Sequence, residues 1–242
     1  MSNPGQPLVS IIVPIYNERP HIAEVIERIV SVSMPGGAAK EVVVVNDGST
    51  DGTERELERF ARHPLVRIHH LKRNFGKGWA IRQGLTIARG DVIVVQDGDK
   101  EYDPAELERV VRPIQEGRAR VVYGSRFLGS VRNMYFRYRL VNRLLVLAVR
   151  LLYGARITDE ATAYKAFHRS VVQSLPLNCI RFEFCPEVTA KILRLGYQIH
   201  EVPINYTART KEEGKKIRLR DAFEAFWTLL RYRFWKPPVK QC

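Results

Sequence analysis

The apolar and polar positions of this chain fall into two regimes. In the first half, Leu8 to Val13 and Glu41 to Asn46 are short, β-branched apolar runs, and each gives way to polar or Gly-rich residues. Runs of this length and composition predict strands buried in a parallel sheet. Val66 to Leu71 and Val92 to Gln96 supply two more strands. Between them the spacing predicts helices at Pro20 to Val32, at Thr53 to Ala61 behind the capping pair Thr53 and Glu56, and at Gly78 to Arg89, stopped by Gly90. Strands alternating with helices predict an α/β class, a Rossmann-like, mostly parallel sheet with helices on both faces. In such a sheet ligands sit at the carboxyl ends of the strands.

The polar motifs of the first half lie at those ends. Pro14, Tyr16, Asn17 and Glu18 follow the first strand, Asp47, Gly48 and Ser49 the second, and Asp97 to Glu101 a later one. Turn chemistry explains any one of these loops, but three acidic loops aimed at one crevice ask for a ligand. The densest is DVIVVQDGDKEYD, residues 91–103, where an apolar run ends in Asp97, Asp99, Glu101 and Asp103. Like charges so close together repel, and a divalent cation relieves that repulsion while gripping a phosphate. Asp103-Pro104 with Glu106 also reads as an ordinary helix start.

The second half is rich in Arg and aromatic residues. In a helix, Val141, Leu144, Leu145, Ala148 and Leu152 share an apolar stripe opposite Arg139, Arg143 and Arg150. Phe223, Phe226, Trp227, Leu230 and Phe234 recur at helical spacing with Arg231, Arg233 and Lys236. Such stripes pack cores or lie on membrane surfaces. The segment Tyr206 to Arg220 is too charged for core and is read as a loop closing over a bound donor.

Length and composition narrow the classes. At 242 residues and 45% hydrophobic content, residues 1–242 are read as one domain, with a ligand-binding half at about 8–126 and a second half at about 127–242. The longest uncharged apolar run, Leu144 to Val149, is far short of a membrane span. The N-terminal residues lack the pattern of a secretory signal, so a cytoplasmic location is expected. Cys179, Cys185 and Cys242 form no CxxC pair, and the six histidines show no metal-ligand spacing. His69 and His70 receive no role. The formal net charge of +13 predicts an anionic partner: nucleic acid, lipid headgroups or a phosphorylated substrate.

The blocks SIIVPIYNE, VVVVNDGSTDGT, RNFGKGWAIRQGL, GDVIVVQDGDKEYDP, YGSRF, TDEATAYKAF and EEGKKI occur in this order. With them the chain resembles family two glycosyltransferases of the GT-A fold, in the dolichyl-phosphate mannose synthase-like or polyprenyl-phosphate branch. The resemblance implies that Pro14, Tyr16 and Glu18 line a nucleoside pocket and that Asp47 hydrogen-bonds the base. It puts Asp97 and Gly98 beside the ribose and diphosphate, Asp99 and Glu101 on Mg²⁺ or Mn²⁺, and Arg126 toward the donor or acceptor phosphates. Two departures stand out: Lys100 replaces an apolar residue, and Ala161 stands where relatives carry an acid, with Glu160 one position early.

The activity that the resemblance implies is that of a metal-dependent, inverting hexosyltransferase moving a sugar from GDP-mannose or a UDP-sugar to a polyprenyl or dolichyl phosphate. Oxygen ligands suit such hard ions, and the ion stabilises the charge on the departing nucleoside diphosphate. An ionised lipid phosphate needs no general base but needs cations, for which Arg126, Arg132, Arg209 and Lys215 are candidates; Arg209 and Lys215 also count as nucleotide-sugar ligands. Asp97, Asp99 and Arg126 form the expected catalytic set. Expected partners are the donor, the lipid phosphate and the cytosolic face of a membrane, bound peripherally, with no nucleic acid; a homo-oligomer or a membrane-protein partner stays open. The alternatives are a soluble or polysaccharide acceptor, a nonenzymatic basic protein binding lipid or nucleic acid, and, more distantly, a nucleotidyltransferase.

Overall fold

The computed structural model describes residues 7–209 and 219–237. The first half runs β1 (Leu8–Ile15), α1 (Ile22–Ser31), β2 (Ala39–Asn46), α2 (Thr53–Glu58), β3 (Val66–His70), α3 (Lys77–Ile87) and β4 (Val92–Val95). The second half runs α4 (Leu107–Gln115), β5 (Val121–Ser125), β6 (Val131–Arg132), α5 (Phe136–Tyr153), β7 (Lys165–His168), α6 (Arg169–Gln173), α7 (Phe184–Arg194), β8 (His200–Pro203), β9 (Tyr206–Thr207) and α8 (Leu219–Arg233).

Seven strands form one sheet in the order β3-β2-β1-β4-β7-β5-β8, and β6 pairs with β9 beside it. The expected parallel pairing holds for β1 with β2 and β4, β2 with β3, and β5 with β8. Among the described strands β7 alone is reversed, antiparallel to both β4 and β5. A reversed strand begins where its neighbours end. The segment leading into β7 therefore arrives at the end of the sheet to which β4 and β5 deliver their following loops.

Both faces of the central strands are covered, which is why their sequences are apolar without interruption. On one face Val9, Ile11, Val13 and Ile15 of β1 pack with Ile22, Val25, Ile26 and Ile29 of α1 and with Val110 and Val111 of α4. On the other, Ile12 with Val43 and Val45 of β2 packs against Ala80 of α3. The expected start of α2 needs correction. Gly52 holds the cap position, and Thr53 uses its hydroxyl to accept the Glu18 N–H at 3.0 Å. Asp51 supplies the capping oxygen to the Thr53 N–H at 2.9 Å.

The two amphipathic helices pack against each other through Leu145 and Val149 of α5 and Ala225, Leu229 and Tyr232 of α8. Each also carries a second apolar stripe facing outward. Phe136, Leu140, Leu144, Leu147 and Leu151 on α5, and Phe223, Trp227 and Leu230 on α8 followed by Phe234, are exposed. Leu144, expected within the packed stripe, belongs to the outer one, and Phe226 is half-buried. α7 is tied to its surroundings by the fully buried pair Glu187 and Lys191, whose ammonium also donates to the Pro176 carbonyl and lies 4.3 Å from the centre of the Tyr232 ring. Removing one member of such a pair leaves a charge stranded in a poorly solvating interior. Glu187→Ala should cost about 3–5 kcal/mol, and the double change Glu187→Leu with Lys191→Met should cost clearly less, as measured by urea unfolding.

Candidate active site

Loops leaving β1, β2 and β4 meet at one end of the sheet, and hydrogen bonds lace them together. Asn17, at the positive φ of 52°, accepts the Thr50 N–H on its side-chain oxygen at 2.8 Å and donates its own N–H to Ser49 Oγ at 2.9 Å. Pro14 is buried in β1, Tyr16 half-buried, and Glu18 buried with its N–H on Thr53. Gly48 turns the second loop at φ 65°, where a Cβ would lie 2.4 Å from the backbone of Arg73. Asp47 is buried and accepts two backbone N–H groups, from Phe75 at 2.8 Å and Gly76 at 2.7 Å. Its carboxylate thus holds the entry to α3. The α3 amides of Gly78 and Trp79 donate to the carbonyls of Arg181 and Ile180, so the glycines there admit the 180–181 backbone.

Four acids converge in the crevice. Gly98 permits the tight turn after β4, since a Cβ there would meet Ile15 at 2.3 Å. Asp97 pairs with Lys77 Nζ at 2.5 Å. Asp99 accepts the Glu101 N–H at 2.9 Å on one oxygen and faces Arg209 Nη2 at 2.5 Å on the other. Glu101 accepts the Arg209 N–H at 2.7 Å and the Tyr206 hydroxyl at 2.8 Å. Arg209 completes the set by reaching Glu18 at 3.1 Å. Burial pushes the Asp99 carboxyl up to about 7; the charge of Asp97 adds to this and Arg209 opposes it.

Arg126 is brought to the same region as half of a bidentate ion pair. Its Nε and Nη2 donate to the two oxygens of Asp159 at 2.7 Å each, and its guanidinium lies 5.0 Å from the centre of the Tyr206 ring. Asp159 neutralises most of that charge locally. Arg132 is exposed on β6, away from these carboxylates' hydrogen bonds, and Lys215 lies outside the described residues. The segment Tyr206 to Arg220, expected as one charged loop outside the core, is not that at its described ends: Tyr206 and Thr207 form β9, Tyr206 and Ala208 are buried in the core, and Leu219 and Arg220 open α8, while residues 210–218 lie outside the described residues. Lys100 turns outward to an exposed ion pair with Glu24 on α1, so it does not oppose a cation beside Asp99. Ala161 is exposed, while Glu160 is fully buried, its carboxyl raised by burial against the pull of Lys165.

The sequence marks Lys77, with Asn74, Gly76 and Gly78, as a helix N-terminus packed near the donor site, and α3 does begin there; the ion pair of Lys77 with Asp97 is what the sequence does not show. Nothing local marks Asp159 as the partner of Arg126, 33 positions away, or Tyr206 as the partner of Glu101, 105 positions away.

The donor set, carboxylate oxygens without thiolate or imidazole, suits a hard cation, and the positive charge now among those oxygens is the Arg209 guanidinium. Among the described residues no three His, Cys, Asp or Glu side chains form a ready cage. Two carboxylates completed by substrate phosphates is the arrangement Mg²⁺ commonly takes.

An α/β sheet of mostly parallel strands, with carboxylates gathered in the loops at their carboxyl ends, is the architecture that the comparisons make specific. The chain belongs to glycosyl transferase family 2, whose signature matches residues 10–175. It is 30% identical over 237 residues to a dolichol-phosphate mannosyltransferase of Pyrococcus furiosus, covering 96% of this chain and 65% of the relative. It is 29% identical over 227 residues to a polyprenol monophosphomannose synthase of Mycolicibacterium smegmatis, covering 86% and 82%. Against an undecaprenyl-phosphate 4-deoxy-4-formamido-L-arabinose transferase of Pseudomonas aeruginosa it is 30% identical, covering 88% of this chain and 61% of the relative. The chain thus spans somewhat under two thirds of the length of two of these three. The GT-A-like fold is borne out by a solved glucosyl-3-phosphoglycerate synthase of Mycobacterium tuberculosis, in complex with Mn²⁺, UDP and glucosyl-3-phosphoglycerate. It superimposes with a TM-score of 0.71 at 23% identity over 93% of this chain and 78% of that one.

A carboxyl that ionises less readily folded than unfolded takes up protons on folding, so its stabilising effect is present at low pH and is lost as pH rises toward 7. In EDTA, Asp99→Asn should therefore gain stability relative to wild type between pH 5 and 8, by on the order of 2 kcal/mol. Urea unfolding at each pH measures this, and a difference that does not vary with pH would contradict the burial argument.

Proposed function

We propose that the chain is an inverting, divalent-metal-dependent glycosyltransferase that moves a hexose from a nucleotide sugar to a polyprenyl or dolichyl phosphate. The observation that carries this reading is the convergence of Glu18, Asp97, Asp99 and Glu101 on one crevice. The names of the polyprenyl-phosphate relatives support the acceptor. The division of the chain at about residue 126 into a donor half and an acceptor half is part of the proposal.

In this reading Pro14, Tyr16, Glu18 and Asp47 line the nucleoside side, with Asp47 also fixing the start of α3. Asp97, backed by Lys77, lies beside the ribose and diphosphate. Asp99 and Glu101 would hold Mg²⁺ or Mn²⁺, which when bound stabilises the charge gathering on the departing nucleoside diphosphate. A phosphate oxygen of the acceptor attacks C1 of the sugar from the face opposite the diphosphate. The C1–O bond breaks, and its electron pair leaves with the nucleotide. The attacking oxygen is already anionic near neutral pH, so no side chain has to remove a proton. Arg126 acts as an oriented half of its pair with Asp159 rather than as a bare charge. Transfer of radiolabelled sugar from GDP-mannose and from UDP-sugars to polyprenyl phosphate tests the reading. Asp99→Ala should lower that transfer by about 100-fold or more, and undiminished transfer would overturn the assignment.

The acceptor's lipid tail implies a membrane, and the exposed apolar side chains of α5 and α8 support contact with one. Among the described residues no helix is long and apolar enough to cross a bilayer. The outer stripes of α5 and α8 would instead lie in the interface, at the cytosolic face in this proposal. Each aromatic side chain so buried contributes roughly 2 kcal/mol, and nearby basic residues add about 1 kcal/mol each toward anionic lipid. Trp227 is 64% exposed and Phe234 77% exposed. Replacing both with Ser should therefore release the protein from anionic liposomes in a sedimentation assay and shift its melting temperature little. A large fall in melting temperature would assign them to the core.

A further inference from the structure

Arg209 follows β9, far along the chain from the acids it touches. Its side chain is 13% exposed. One guanidinium nitrogen is 2.5 Å from Asp99 Oδ2 and the other 3.1 Å from Glu18 Oε2, while its backbone N–H donates to Glu101 at 2.7 Å. One residue thus engages acids from the loops after β1 and β4. A cation held by Asp99 and Glu101 would contend with the guanidinium for the Asp99 carboxylate. Ion–oxygen distances of about 2.0–2.6 Å would bring that ion within a few ångströms of the guanidinium, where like charges repel strongly and little water screens them.

We infer that Arg209 is the built-in counter-ion of the unloaded crevice: it neutralises the carboxylates until a divalent ion arrives, and competes with that ion for Asp99. The inference rests on the reading of this crevice as a divalent-cation site. Its consequence is coupling. A bound diphosphate offers the displaced guanidinium a bidentate anionic partner. The nucleotide then promotes ion binding and the ion promotes nucleotide binding by the same factor, whereas the ion alone meets an occupied seat.

The test is titration of the full chain with Mn²⁺, followed by the electron paramagnetic resonance signal of free Mn²⁺, with and without UDP or GDP. Wild type should bind Mn²⁺ weakly alone and much more tightly with the nucleotide. Arg209→Gln should bind Mn²⁺ alone at least tenfold tighter than wild type, and its gain on adding nucleotide should shrink correspondingly. In EDTA the variant should melt below wild type and be restored by Mn²⁺, which a merely structural arginine would not produce. Equal affinity of the two proteins for Mn²⁺ alone overturns the inference while leaving the cation site in place. Absence of Mn²⁺ binding in wild type even with UDP and GDP removes the cation site and the inference together. Should Arg209→Gln fail to fold, phenylglyoxal labelling of wild type, mapped by mass spectrometry, decides. Mn²⁺ should raise labelling of Arg209 several-fold, and unchanged labelling counts against displacement.

Discussion

Negative charge drawn together in a place with little water constrains everything around it. Glu18, Asp97, Asp99 and Glu101 come from two loops of the first half, and each brings a carboxylate that repels the others. At an effective dielectric near 20, a pair of such charges about 4 Å apart interacts by about 4 kcal/mol, comparable to the whole stability margin of many domains. Lys77 answers Asp97 from the start of α3, and Arg209 answers Glu18 and Asp99 from beyond β9. The positions of α3 and of the 206–209 segment are therefore part of the same electrostatic arrangement as the loops themselves. Asp47 extends it by holding the Phe75 and Gly76 amides, fixing where Lys77 begins its reach.

The sequence was most legible where local rules and burial agree. Four strands, three helices and the convergence of three loops came from β-branched runs and their polar ends, because a strand covered on both faces leaves no freedom for a polar interruption. Type and position single out residues in those loops, and the structure brings Glu18, Asp97, Asp99 and Glu101 together. The partners are not singled out that way. Nothing near Arg209 signals that it reaches back to Glu18, and nothing near Arg126 signals Asp159, since ion pairs across such separations are set by topology. The reversal of β7 was also hidden, because a four-residue buried strand reads the same in either direction. Thr53 misled for a different reason: Thr followed by Glu three positions on satisfies a capping pattern, but the cap position falls one residue earlier, at Gly52, and the Thr53 hydroxyl is engaged by Glu18 and Asp51.

The amphipathic helices show why a stripe read from sequence can be correct and incomplete. α5 and α8 do bury apolar residues between them, as either reading required, yet their periodicity supports a second apolar line on the outside. A helix apolar on more than one side needs more than one neighbour. The protein supplies one of them, and the outer line is large enough to call for another.

β7 running against its neighbours has a further consequence. The segment from Asp159 to Tyr164 enters that strand at the end where Gln96 and Arg126 leave theirs, and it bonds to them through Tyr164 and Asp159. Thr158, just ahead of Asp159, is tied in the same way to Ser125, Asn142 and Glu201. One wall of the crevice is thus carried by a strand whose beginning, not its end, faces the site.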